Sequence, residues 1–276
     1  MLERTKLFVL RLLPLAVVDW LQAWHMWLIV HAFRPRVVEH RYGDCVLNVS
    51  LADPVSLEWY DHDWSEAEMP DIAALRTSRL RKGARVFDIG AHQGVIALML
   101  AHEVGPTGKV VAIEPNPHNF MVAVRNRGLN DTPWVELVQA AISDRSGEIM
   151  FNRRLNGQLD DGTGVGGQMR IQSLTIDGLA ERFGMPDVVF LDVEGAECMA
   201  LEGASAVLAR ETDFLIEVHV HCGLEKLGGS VGQVLEYFPL DRFSVLARSE
   251  SETSFHAFSR CDPLTAGRFF LFASPL

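Results

Sequence analysis

Arg85 to Gly94 reads RVFDIGAHQG, and Lys109 to Asn116 reads KVVAIEPN. Val86 and Phe87 favour strand, and their run ends in Asp88-Ile89-Gly90. Val95 to Ala101 follows with the Ala, Leu and Met content of a helix. A second strand, Val110 to Ile113, ends in the carboxylate of Glu114. Strand, glycine turn, helix and strand open a βαβ unit.

The residue types at these strand ends point to a ligand. Gly90 lets the backbone turn sharply out of the strand, and Gly94 lets a helix start approach a ligand closely. Asp88 puts negative charge at the turn, which suits an ammonium group. Glu114, at the tip of the neighbouring strand, suits two ribose hydroxyls. Dinucleotide binding asks for G-x-G-x-x-G, whereas here Ala91-His92-Gln93 separates two glycines. A pyrophosphate would also meet repulsion from Asp88. An adenosine that carries an amino acid, S-adenosylmethionine (SAM), fits the set best.

Downstream, the chain keeps alternating. A helix is expected over Pro117 to Leu129 and a strand over Val135 to Ala140. The strand leads into Ala141-Ile142-Ser143-Asp144, where small residues leave room for an adenine. Ser143 and Asp144 stand where they can bond its exocyclic amine, and Asp144 equally fits the start of a turn. Glu148 to Asn152 reads as a hairpin strand. Residues 153 to 168 hold five glycines and fit no element, which is the composition of a lid beside a site. Further helices are expected at Thr175 to Phe183, Ala196 to Arg210 and Val231 to Phe238. Strands are expected at Asp187 to Leu191, Phe214 to Val220, Phe243 to Ala247 and Phe269 to Phe272. This alternation predicts an α/β fold, an open and mostly parallel sheet with helices on both faces and ligands beyond the strand carboxyl ends. Asp88, Glu114, Asp192 and His219 would meet there.

The amino-terminal part reads differently. Residues 1–36 form an apolar segment, with Trp20, Trp24 and Trp27 among six tryptophans in the chain. Leu12 to Phe33 is long enough to span a bilayer at about 20 residues, but Asp19, Gln22 and His25 interrupt it. Those polar residues share one broad side with Arg4 and Arg11, which favours an amphipathic helix in a membrane interface; a helix packed on the core is the alternative. Residues 37–63 read as short strands. Ser65 to Glu68 is a capping-box pattern that opens a helical region to about Arg81, with Pro70 as a second start. Residues 37–82 would pack on a SAM-binding domain of residues 83–276.

Composition narrows the partners. A net charge of −11 over 276 residues argues against a nucleic-acid surface. The four cysteines, Cys45, Cys198, Cys222 and Cys261, are scattered, as expected of reduced thiols in a cytoplasmic setting.

VFDIGAHQG, AIEPNP, AAISD and LDVEGAE followed by LEGA resemble the FkbM family of SAM-dependent methyltransferases, over about residues 60 to 220. The resemblance implies a Rossmann-like class I methyltransferase with a seven-stranded sheet whose last strand is antiparallel. It implies O-methylation of a sugar, polyketide or other secondary metabolite or glycolipid. By it, Asp88, Gly90 and Gly94 hold the methionine end of SAM, Glu114 holds its ribose, and Asp192 lies beside methionine and acceptor. Ala91, Pro115 and Asn116 complete that set, and His92 stands where the family often has Asn.

A hydroxyl acceptor needs a base near neutral pH. His219 is the first candidate, at the ligand end of its strand, and Asp192 the second. Glu217, His219 and His221 alternate onto one face near Asp192, a set able to hold a divalent ion, although the spacing does not require one and no ligand is assigned. Glu194 and Glu197 suit the turn and the helix start. Two other classes compete: an inactive SAM-fold module that recruits partners to a membrane, and a nucleotide-dependent oxidoreductase. The intact Asp88, Gly90, Gly94, Glu114 set weighs against the first, and the missing third glycine against the second.

Overall fold

The computed structural model describes residues 15–152, 159, 168–258 and 267–276. Helix α1, Leu15–Ala32, exposes Trp20, Trp24 and Trp27, and the rings of Trp20 and Trp24 stack. Among the described residues no helix is long and apolar enough to cross a membrane. Strands β1, Arg36–Tyr42, and β2, Cys45–Leu51, form a hairpin through Gly43 and Asp44.

The segment expected as strands up to residue 63 instead turns helical at α2, Pro54–Tyr60. Asp53 is the reason. Its Oδ1 accepts the Ser56 amide at 2.9 Å, and Ser56 Oγ accepts the Asp53 amide in return. Pro54 in the first turn lacks the N–H that would otherwise go unpaired. Glu68 accepts the Ser65 amide, but this turn closes as a three-residue 3-10 helix. Pro70 then starts α3, Pro70–Arg76. It stops short of Arg81 because the Thr77 hydroxyl donates back to Ala74 O.

Next come β3, Arg85–Ile89; α4, Val95–Val104; β4, Lys109–Ile113; α5, Pro117–Leu129; and β5, Val135–Val138. Then follow β6, Ala141–Ile142; β7, Gly147–Asn152; β8, Gln168–Leu174; α6, Ile176–Phe183; and β9, Val188–Leu191. The helix expected over Ala196 to Arg210 is two pieces, α7, Glu197–Glu202, and α8, Ser205–Leu208. Asp177 from α6 breaks it by accepting the Ala206 and Val207 amides at the second start. The chain ends with β10, Asp213–Val220; α9, Val231–Glu236; β11, Phe243–Ser249; β12, His256–Ala257; and β13, Gly267–Pro275.

The main sheet runs β12-β11-β13-β10-β9-β3-β4-β5. Seven strands match the expected class I methyltransferase sheet, and the two-residue β12 adds an eighth at one edge. Strands β10, β9, β3, β4 and β5 are parallel, while β13 is antiparallel to β10 and β11. A separate sheet, β6-β8-β7, takes the Gly147–Asn152 strand away from the main sheet. Its centre, β8, occupies a stretch with no strand signal. The expected lid, 153 to 168, lies outside the described residues except Leu159 and Gln168.

Period-two alternation divides the apolar side chains between two cores. Phe87, Ile89, Val111, Ile113 and Leu191 face α6, α7 and α8. Val86, Val110, Val188 and Phe190 face α4 and the β1–β2 hairpin. Strands covered on both faces read as near-continuous apolar runs, which is why β3, β4 and β9 stood out. Cys45, Cys198 and Cys222 are free thiols.

Candidate active site

Register places the site. Ile89 pairs with both Ile113 and Leu191, so β3, β4 and β9 finish level. Gly90, Glu114 and Asp192 therefore emerge side by side. Gly90 has φ +89°, and a Cβ there would fall 1.6 Å from Asp192 O, so no other residue fits this crossing. Glu114 accepts the His92 amide at 2.8 Å and the Asn116 amide at 2.7 Å. Burial pushes its carboxyl up to about 8 against those bonds. Asp88 is buried, and no described residue donates to its Oδ2. Burial pushes it up to about 7.

Two cavities share a wall here. One, the smaller and more enclosed, is lined by Ile113, Glu114, Pro115, Ala141, Ile142 and Leu159 among others. The second, larger and more open, reaches Asp88, Ala91, Tyr60, Trp64, Glu217 and Arg268. Trp59, Gly90, His92 and Asp192 line both. In the first, Glu114 is the wall carboxylate that can accept ribose hydroxyls, and Asp88 Oδ2, in the second cavity, has no donor among the described residues. These residues fit SAM.

Beneath the shared wall lies a cluster around His219, which is fully buried. Its Nδ1 donates to Glu197 Oε1 at 2.7 Å, and that oxygen also accepts the Gly195 amide at 3.0 Å. Its Nε2 stands 3.4 Å from Glu194 Oε2, 3.5 Å from Glu217 Oε1 and 3.6 Å from Asp192 Oδ1, and is hydrogen-bonded to none of them. Burial works against charge on this ring, but the Glu197 bond and the charges of Asp192, Glu197 and Glu194 outweigh it and push His219 up to about 10. It is therefore an imidazolium at neutral pH. Asp192 is raised above the carboxylate range by removal from water and then by repulsion from Glu217, with His219 opposing. Glu194 holds a left-handed backbone at φ +52°, uncommon for a residue with a side chain. The two loops here touch through backbone: a Cβ on Gly195 would lie 2.4 Å from Gly223 C, and one on Gly223 2.4 Å from Glu194 O.

Some residues singled out by sequence do not line either cavity. Gly94 faces Ala123 of α5, 3.1 Å from where its Cβ would be, so it serves helix packing. Ser143 donates its hydroxyl to Asp144 Oδ1 and its amide to Leu174 O; neither residue is among the cavity linings, whereas the backbone neighbours Ala141 and Ile142 are. Asn116 caps α5 and steadies Glu114. His221 leaves β10 at φ +59° and sits exposed beside Glu225, away from the face of Glu217 and His219. Glu197 does serve the turn, but its bond to His219 was not legible. Trp59, Tyr60 and Arg268 were also missed. The Asp53 cap pattern was the one signal that could have found the first two.

The family described as methyltransferase FkbM domain matches residues 88–245. A hexuronic acid methyltransferase, AglP, from Haloferax volcanii is 26% identical over 203 residues, 72% of this chain and 76% of that protein. Among solved structures, methyltransferase FkbM from Methylobacillus flagellatus is similar at TM-score 0.46 and 16% identity, covering 69% of this chain and 43% of that one. A SAM-dependent methyltransferase from Aquifex aeolicus has TM-score 0.43 and 17% identity, covering 81% and 93%.

Proposed function

Because the chain belongs to the FkbM methyltransferase family, we propose that it transfers a methyl group from SAM to a hydroxyl oxygen of a sugar or sugar-bearing metabolite. The observation that carries this reading is the pair of cavities with Asp192 in their common wall. The smaller takes the nucleoside; the larger takes the amino-acid end of SAM at Asp88 and, beyond it, the acceptor. SAM supplies an electrophilic methyl on a sulfonium that leaves as a neutral thioether, so the protein's work is alignment, exclusion of water and removal of one proton.

Asp192 is the better base. Its carboxyl is raised above the usual range, while His219 already holds a proton at neutral pH. His219 then acts by fixing the charge balance under Asp192. The acceptor cavity presents the rings of Trp59, Tyr60 and Trp64 beside Glu58 and Glu68. Aromatic faces meet the C–H faces of a sugar, and carboxylates take its hydroxyls. Arg268 is the one guanidinium among the described lining residues, and it is already paired with Glu217 and Glu250. That balance favours a neutral sugar hydroxyl over an acidic sugar such as the AglP substrate class.

Methyl release from labelled SAM across a panel of neutral and acidic glycans tests the reading, with SAM and NAD calorimetry beside it. Neutral glycans are expected to turn over and SAM to bind. Binding of NAD without SAM would reject the cofactor. Asp192→Asn should lower turnover at saturating SAM by about 10²-fold or more. Unchanged turnover would remove Asp192 as the base.

A further inference from the structure

We propose that Asp192, Glu194 and His219 bind a divalent transition-metal ion at the wall between the two cavities. Each offers one ligand atom, and the three atoms lie within 4.8 Å of one another. Nε2 of His219 is 3.4 Å from Glu194 Oε2 and 3.6 Å from Asp192 Oδ1. Bonds of about 2.0–2.2 Å set neighbouring ligands around one ion roughly 3–3.5 Å apart, so little movement is needed.

The ring itself is the independent observation. His219 is fully buried, and its Nε2 has no hydrogen-bond partner. Its other nitrogen donates to Glu197, which keeps the proton on Nδ1, so that an ion would take the place of the Nε2 proton among the carboxylates. A carboxylate behind a ligand histidine is the usual support for a metal site. Glu194 also holds a left-handed backbone at this turn, uncommon for a residue with a side chain. Glu217, 3.5 Å from Nε2, is held by Arg268 at 3.1 Å and stands outside the set. One imidazole with two carboxylates suits Mn²⁺, Fe²⁺ or Zn²⁺ better than Mg²⁺.

Asp192 borders both cavities, so the open side of the ion faces the acceptor. Its role there rests on the methyl-transfer reading: a metal-bound hydroxyl loses its proton at lower pH. Occupancy of the site does not rest on that reading.

The test is a Mn²⁺ titration of the EDTA-treated full chain, read by electron paramagnetic resonance without SAM or acceptor. One Mn²⁺ per chain is expected, with nitrogen coupling from the imidazole in the spin-echo modulation. His219→Ala and Glu194→Gln should each weaken Mn²⁺ at least tenfold with unchanged thermal melting. Should His219→Ala fail to fold, Glu194→Gln and the nitrogen coupling of the unmodified chain decide. Absence of binding at millimolar Mn²⁺, bound Mn²⁺ without nitrogen coupling, or full affinity in both variants overturns the proposal. None of these readouts depends on methyl transfer, so failure of either idea is seen separately.

Discussion

Asp88 and Glu114 are buried acids whose folded values, about 7 and about 8, lie far above those of an unfolded chain. Between roughly pH 4 and pH 8 the folded protein keeps protons that the unfolded chain has released, so stability falls as pH rises through that window. A bound ammonium and ribose reverse the preference by stabilising the ionised forms. The melting temperature of the free protein is therefore expected to fall from about pH 5 to about pH 8, and the rise caused by SAM to grow over the same range. A SAM shift that is flat with pH would count against both assignments. Glu114→Ala should weaken SAM by about 1–3 kcal/mol in calorimetry, and unchanged affinity would take it out of the site. These two acids were legible because a strand end fixes where the next residue points. The Glu197–His219 bond was not: it joins residues 22 apart through a turn whose path depends on Glu194 adopting positive φ.

At the level of elements, α2 carries Trp59 and Tyr60 over the shared wall, and Asp53 anchors it. Asp53 Oδ2 takes Gln93 Nε2 at 2.6 Å and His118 Nε2 at 2.8 Å, while Oδ1 caps the helix. Burial opposes its charge, but the bonds from His118 and Ser56 lower its carboxyl overall. This stability is present above the unfolded value and is lost as pH falls through the folded one. Asp53→Ala removes a cap and leaves buried Gln93 and half-buried His118 without their acceptor, so a loss of about 1–3 kcal/mol is expected in chemical denaturation. A loss below about 0.5 kcal/mol would show that α2 is held by packing alone. The sequence hid α2 because its seven residues are too few for a helical period, and Val, Trp and Tyr favour strand. By contrast, β3, β4, α5 and β10 showed through clearly, since double burial or an N-terminal proline leaves an unambiguous pattern. The long helix after β9 was misjudged for a tertiary reason: Asp177, distant in sequence, caps its second half.

For the molecule as a whole, the order of strands follows from apolar alternation, but the edges do not. Strand β12 pairs through two residues only, and β8 builds a side sheet from a polar stretch. The aromatic face of α1 has a physical consequence of its own. Three exposed tryptophans on one helix suit the headgroup layer of a membrane. We propose peripheral attachment through residues 1–36. A membrane-pellet fraction is expected for the intact chain and should vanish when those residues are deleted; full solubility of the intact protein would refute it.

The contact of Gly195 with Gly223 has a bearing on how the site is held together. With backbone against backbone, the loops after β9 and β10 leave no room for a side chain between them. A side chain at either glycine would force the two loops apart and with them Asp192 and His219, whose strands they leave.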